Sequence, residues 1–290
     1  MKLTLRTSIV ALAAAATIAI PAALAHRVWM LPSSTIVSGD DNWVTVDAAV
    51  SNDLFFFDHR PSPAIPTVTQ PDGTLGKVEN HAVGQFRATF DVHLTQQGTF
   101  RIAMVNEGVF GSYKLNGETR PIPRGTTAAT LAAAIPAGAT DVQTSSNVSR
   151  NEIFVTQGAP TNTIFTPTGK GLELVPVTHP NDLIAGEAAS FKFVLDGKPA
   201  ANIAVTVIPG GIRYRDNLHE MALKTDGEGK VTITWPAPGM YWLNLSIGGR
   251  PEGGPGMGAG APGAQAARPA PSGPPQRRVM YTTTLEVLAP

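Results

Sequence analysis

From Trp43 onward the chain repeats one pattern: short runs in which apolar and polar residues alternate, each closed by a turn that carries glycine. Alternation at period two sends successive side chains to opposite faces of an extended strand, and β-branched and aromatic residues fit that half-buried surface. The first run is Trp43-Val44-Thr45-Val46-Asp47-Ala48-Ala49-Val50, and 86–92 and 99–105 follow it. Pro71-Asp72-Gly73 and Gln96-Gln97-Gly98 read as the turns; in the first, proline presets φ and glycine accepts a positive φ. The rhythm returns at 172–178, 189–195, 203–208, 230–235 and 240–247, with turns at Asp196-Gly197 and Asp226-Gly227-Glu228-Gly229. Only 126–135 is rich in good helix formers, and Pro136 stops it. The expected fold is therefore all-β, with two antiparallel β-sandwich domains. The N-terminal one spans 26–112 and the second, Ig-like, spans 171–290, with 113–170 as an extension and connector. Within that connector Asn116-Gly117 reads as a hairpin turn, 152–156 as a strand and 160–168 as loop.

The pattern breaks once. Residues 248–278 are nearly all Gly, Pro, Ala and Ser, with Arg250, Arg268, Arg277 and Arg278 in and around them. Such a composition buries too little apolar surface to offset chain entropy and is expected to be a disordered loop. The run 279–288 alternates again, so the loop is expected to interrupt a hairpin rather than form a tail.

The front of the chain has the anatomy of a cleavable secretory signal. Lys2 and Arg6 precede an apolar run from Ile9 to Ile20, then come Pro21 and the A-x-A site Ala23-Leu24-Ala25. Cleavage after Ala25 removes 1–25, leaves 20 basic against 22 acidic residues and makes His26 the first residue. The mature protein is expected in the periplasm, without membrane insertion. Its near-balanced charge argues against nucleic acid as a partner. With no cysteine, disulfides and thiolate metal sites are excluded.

An amino-terminal histidine offers a free amine and an imidazole nitrogen on one residue, and both can chelate one ion. The amine is readily deprotonated, with a pKa of about 7.7–8.0. One more histidine would complete a three-nitrogen site for a transition-metal ion: copper, nickel, cobalt or zinc. The chain has six histidines, none at helical i, i+4 spacing, so any site must be assembled from distant residues. The candidates are His26, His59 with its neighbour Asp58 as ligand or orienting group, and His93, which shares a strand face with Asp91. His81 reads as an exposed turn residue, His179 as a turn former before Pro180, and His219 as a surface residue of the second half. Trp29, Trp43 and the tract Phe55-Phe56-Phe57 read as core. No nucleophile elbow, phosphate loop or marked carboxylate pair is present, so no catalytic residue is assigned.

Four stretches carry a resemblance. His26-Arg27-Val28-Trp29-Met30-Leu31-Pro32-Ser33 resembles the His-x-x-Trp-x-x-Pro-Ser start of a bacterial domain-of-unknown-function family. That family is often labelled the periplasmic component of cobalt/nickel (NikM-like) transport. Phe56-Phe57-Asp58-His59-Arg60-Pro61, Gly171-Leu172-Glu173-Leu174-Val175-Pro176-Val177-Thr178-His179-Pro180 and Leu195-Asp196-Gly197-Lys198-Pro199, with Thr225–Val231 after it, are similar to its general pattern. The resemblance implies secretion, all-β domains and transition-metal handling, with His59 matching a family histidine. The second half alone also resembles generic Ig-like and carboxypeptidase-regulatory-like modules. The expected function is periplasmic metal delivery or buffering without catalysis, accessory to nickel/cobalt uptake through a membrane transporter or outer-membrane receptor. Two other readings stand beside it: a metal-free Ig-like structural or receptor-accessory interaction module, and a copper-dependent oxidase.

Overall fold

The computed structural model describes residues 26–248 and 277–290. The expected signal sequence and most of the Gly/Pro-rich segment lie outside the described residues. What is described is all-β, and among the described residues no helix is long and apolar enough to cross a membrane. The first half contributes β1 (Arg27–Pro32), β2 (Ile36–Val37), β3 (Asn42–Ser51), β4 (Thr67–Thr69), β5 (Glu79–Val83), β6 (Ala88–Leu94) and β7 (Gly98–Leu115). Then come β8 (Glu118–Pro121), a single helical turn α1 (Leu131–Ala134) and β9 (Thr140–Gln157). The second half contributes β10 (Leu172–Pro176), β11 (Ala188–Leu195), β12 (Lys198–Pro199), β13 (Ala204–Pro209), β14 (Met221–Lys224), β15 (Lys230–Thr234), β16 (Gly239–Ile247) and β17 (Arg277–Val287).

These strands make three sheets. One is β1-β3-β6-β5, and a second has β10 on one edge of β11 and both β12 and β15 on the opposite edge. The third has nine strands in the order β14-β13-β16-β17-β9-β7-β4, with β2 beside β9 and β8 beside β7. The first sheet packs on β9 and β7: Val44, Val46, Phe90 and Val92 meet Phe100, Ile102, Ile153 and Val155. The second packs on β13, β16 and β17, where Leu174, Phe191, Phe193 and Ile233 meet Val205, Leu243, Leu245 and Tyr281. Each half is thus a sandwich with its own core, and the period-two pattern read from the sequence is the inner face of each sheet.

The segment expected as a connector departs most from the sequence reading. It carries β9, 18 residues long rather than five, which pairs antiparallel with β7 and in parallel with β17. Every residue from Arg150 to Gln157 is buried, because the strand has a core on each side. Ile153 and Val155 enter the N-terminal core while Phe154 enters the C-terminal one. The polar run Ser149-Arg150-Asn151-Glu152 concealed the strand, since burial of charge is recognisable only once its partners are known. Arg150 reaches Glu152 at 3.5 Å and Glu173 at 3.3 Å, and the Tyr281 hydroxyl donates to Glu152 at 2.8 Å.

The hairpin turn at Asn116-Gly117 is present between β7 and β8, with positive φ at both residues. The helix-forming stretch yields only the four residues of α1. The Gly/Pro-rich segment does join two neighbours, since β16 and β17 pair from Gly239↔Val287 to Ile247↔Val279. Arg277 and Arg278, assigned by composition to the loop, belong to β17, where the Arg277 guanidinium donates to Asp196 at 2.7 Å.

Candidate metal centre

The site is built by β1 and the loop that follows β3. In an extended strand Arg27 and Trp29 point to the same face, and each holds that loop. The Arg27 guanidinium donates to the Asn52 carbonyl at 2.5 Å, and the Trp29 indole N–H donates to Ser51 Oγ at 2.8 Å. Trp29 is fully buried, with the ring of Phe55 edge-on at 5.4 Å and that of Phe57 at 5.5 Å. Phe55 pays for its place with a positive φ of 64°, a conformation rare for an aromatic residue. Its ring fits because residue 210 is glycine: a Cβ there would sit 3.0 Å from the Phe55 ring. Ile208, Ile212, Leu54 and Trp242 complete this third cluster, and the Trp242 indole donates to the Val28 carbonyl at 3.0 Å.

The loop so pinned presents Asp58 and His59. Both Asp58 oxygens accept from the Asn52 N–H, at 3.3 and 3.2 Å, which turns the carboxylate back across its own loop. Asp58 Oδ1 also lies 2.7 Å from His59 Nδ1. A proton on Nδ1 shared with the carboxylate leaves His59 Nε2 with a free lone pair. Against this ring lies that of His26, the residue just before β1, with centroids 4.1 Å apart and planes tilted by 59°. His26 is exposed and the His59 side chain is 24% exposed, so both are open to an incoming ion.

His26, His59 and Asp58 are therefore brought together although 33 residues separate the two histidines in sequence. His93 is not part of the set. It sits in β6 opposite Trp43, whereas Arg27 pairs with Ser51 at the other end of β3. The eight-residue offset along β3 is about 26 Å at about 3.3 Å per residue. Its imidazole instead bonds Asp41 and stacks on Trp43. Among the other histidines, His81 is a half-buried residue of β5 rather than an exposed turn. His219 lies on the surface of the second half. His179 is half-buried between the halves, accepting from the Asn181 N–H at 3.1 Å, and its burial pushes the imidazole below the usual 6.5. Arg27, Asn52 and Ser51 were absent from the sequence reading as positioning residues. The one available signal was the spacing of Arg27 and Trp29 on a strand that begins next to His26.

Two imidazoles in contact suit a transition metal. Metal–nitrogen bonds of about 2.0 Å let two nitrogens up to about 4 Å apart share one ion. A carboxylate on one imidazole nitrogen, as Asp58 is on His59 Nδ1, is the arrangement that fixes tautomer and raises ligand basicity in metal-bound histidines. Among the described residues no cluster of three or more His, Cys, Asp or Glu side chains is placed to hold an ion. An ion held by His26 and His59 would need a third donor other than a side chain of these types.

No curated protein matches the chain. The model of a family described as a domain of unknown function (DUF4198) matches residues 23–249, and the chain belongs to that family.

Proposed function

We propose that the chain is a secreted, periplasmic protein that binds one transition-metal ion for delivery or buffering. In this reading the donors are the α-amine and imidazole of His26, freed by cleavage after Ala25, and the imidazole of His59. The observation that carries it is the contact between the His26 and His59 rings, with Asp58 bonded to His59 Nδ1. Two imidazoles leave one donor wanting, and the amine of an N-terminal His26 supplies it on the same residue. A nitrogen-only set favours copper over nickel, cobalt and zinc by the usual order of divalent affinities. The bound ion would supply an exchangeable charge centre at the surface. The chain's own part is to hold His59 in one tautomer through Asp58 and to keep the loop against β1 through Arg27 and Trp29. A membrane transporter or outer-membrane receptor is the exchange partner this role requires.

The test is native mass spectrometry with metal analysis on protein exported and processed in a bacterium. One ion per chain starting at His26 is expected. It should be lost in His26→Ala, in His59→Ala, and when one extra residue precedes His26. A processed chain that stays empty when offered copper, nickel, cobalt and zinc refutes the reading and leaves a metal-free interaction module.

A further inference from the structure

Trp43 reads as core in the sequence, yet in the structure it is 48% exposed on the outer face of the first sheet. One face of its indole is covered by His93, stacked at 4.2 Å with the planes 5° apart, so the exposure belongs to the other face. This ring is held in place. His93 bonds the Asp41 carboxylate, and Asp41 sits in a turn of left-handed backbone with φ of 61°. The Gln97 amide donates to the Gly39 carbonyl of the same turn at 3.0 Å, tying it to the β6–β7 junction. A half-exposed indole held rigid from one side presents a flat, electron-rich face that a ligand can cover.

The residues beside it carry hydrogen-bonding groups. Two positions along from Trp43 on the same face is Thr45, opposite Asp91 of β6. That step is about 7 Å. Asp91 accepts from Thr45 Oγ1 at 2.7 Å and from Asn80 Nδ2 at 2.7 Å, and the two contacts hold its carboxyl below the usual carboxylate range. Each carboxylate oxygen keeps a free lone pair for a second donor. Asn80 has a positive φ of 51° where the β5–β6 register slips between Glu79 and Ala82. Such bulges re-aim a side chain, here toward Asp91. Charge on this face is mainly acidic, with Asp41, Asp91 and Asp47, and the nearby Arg87 guanidinium is engaged by Asp47 at 3.3 Å.

We propose that the outer face of β3 and β6 is a saccharide-binding platform. A neutral hexopyranose lies flat on the open face of Trp43, and its hydroxyls reach Asp91, Asn80 and Thr45. The electron-rich indole face attracts the slightly positive C–H groups on the flat side of a pyranose ring. The fixed carboxylate accepts from hydroxyls at the ring's edge. Uronate, sulfated or phosphorylated sugars are disfavoured by the like charge of Asp91 and Asp41. The platform lies at the opposite end of β3 from His26 and His59, so the inference does not depend on metal binding.

The chain has four tryptophans, and Trp29, Trp235 and Trp242 are buried, so a ligand-induced change in indole signals reports Trp43. The experiment titrates processed full-length protein with cellotetraose, maltotetraose and tri-N-acetylchitotriose, followed by tryptophan fluorescence and the indole N–H signals in NMR. A saturable shift of one indole signal is expected with at least one probe. Affinity followed by isothermal titration calorimetry, which does not need the Trp43 indole, should fall at least tenfold in Trp43→Ala and severalfold in Asp91→Ala, survive in part in Trp43→Phe, and be unaffected in His26→Ala. The proposal is overturned if no probe gives a saturable change at millimolar concentration, or if Trp43→Ala binds as the parent does.

Discussion

Asp58 shows how much one side chain can settle locally. It closes its own loop on the Asn52 N–H and fixes His59 by Nδ1. Replacing it with Asn keeps the shape but removes the charge that favours a proton on Nδ1. Loss of such an outer partner typically weakens metal binding about 10–100-fold. Asp58→Asn should therefore lower copper affinity by that order in a competition titration while leaving thermal stability nearly unchanged. An unaltered affinity would mean that His59 does not ligate through Nε2. His179 gives a pH test. Its Nδ1 accepts from Asn181, and Nε2 faces Thr99 Oγ1 and the Thr161 carbonyl, so a second proton would confront the Asn181 donor. With the folded pKa below the unfolded 6.5, the unfolded chain takes up the proton first. Stability from this residue is complete above about pH 6.5 and falls as pH drops through the lower folded value. The loss of melting temperature from pH 7 to pH 5 should be smaller in His179→Gln than in the parent. At this scale the sequence singled out His26, His59 and Asp58, and the structure sets the two histidine rings in contact with Asp58 on His59. His93 was misplaced because strand register decides which end of a sheet a residue occupies, and no local signal carries register.

The strands of the two halves were legible for the opposite reason. Inner faces such as Val44-x-Val46 and Phe191-x-Phe193 write their burial into the alternation itself. β9 escaped because its buried positions include Arg150, Asn151, Glu152, Thr156 and Gln157, which a periodicity argument counts as exposed. Four of them are tolerated because they are paired across elements, whereas the Asn151 side-chain amide is buried without a hydrogen-bond partner among the described residues. Arg150 bridges Glu152 and Glu173, and Glu173 in turn accepts from the Thr168 and Gly169 N–H groups at 2.8 and 2.9 Å. Tyr281, fully buried beside Glu152, has its hydroxyl pushed well above its usual titration range by desolvation. Removing the single cation would strand two buried carboxylates. Arg150→Met should destabilise the protein by about 3–5 kcal/mol in urea unfolding. A cost no larger than that of an exposed arginine would mean that the triad contributes nothing to the seam.

At the level of the whole molecule, β9 is shared property. Its Ile153 and Val155 side chains complete one core and Phe154 the other, and its backbone joins β7 to β17 in a single nine-stranded sheet. Neither half can unfold without exposing one face of β9 and one row of its hydrogen bonds. A chain with two sandwiches joined by a flexible linker would show two transitions, because each would melt on its own. Here the seam couples them, and one transition is expected. Tryptophan emission reports both halves, since Trp29 and Trp235 lie in different clusters. It should change with the same urea midpoint as the far-ultraviolet circular dichroism, which follows the sheets. The complementary experiment expresses residues 26–170 alone. That fragment keeps every strand of the first sheet but strips Ile208, Ile212 and Trp242 from around Trp29, leaves β9 from Ser146 to Glu152 without β17, and leaves Phe154 without its core. An unpaired edge beside an exposed apolar face is an aggregation template. The fragment should be insoluble or lack sharp amide signals. A soluble, well-dispersed fragment with its own melting transition would show that the halves fold independently despite the shared strand.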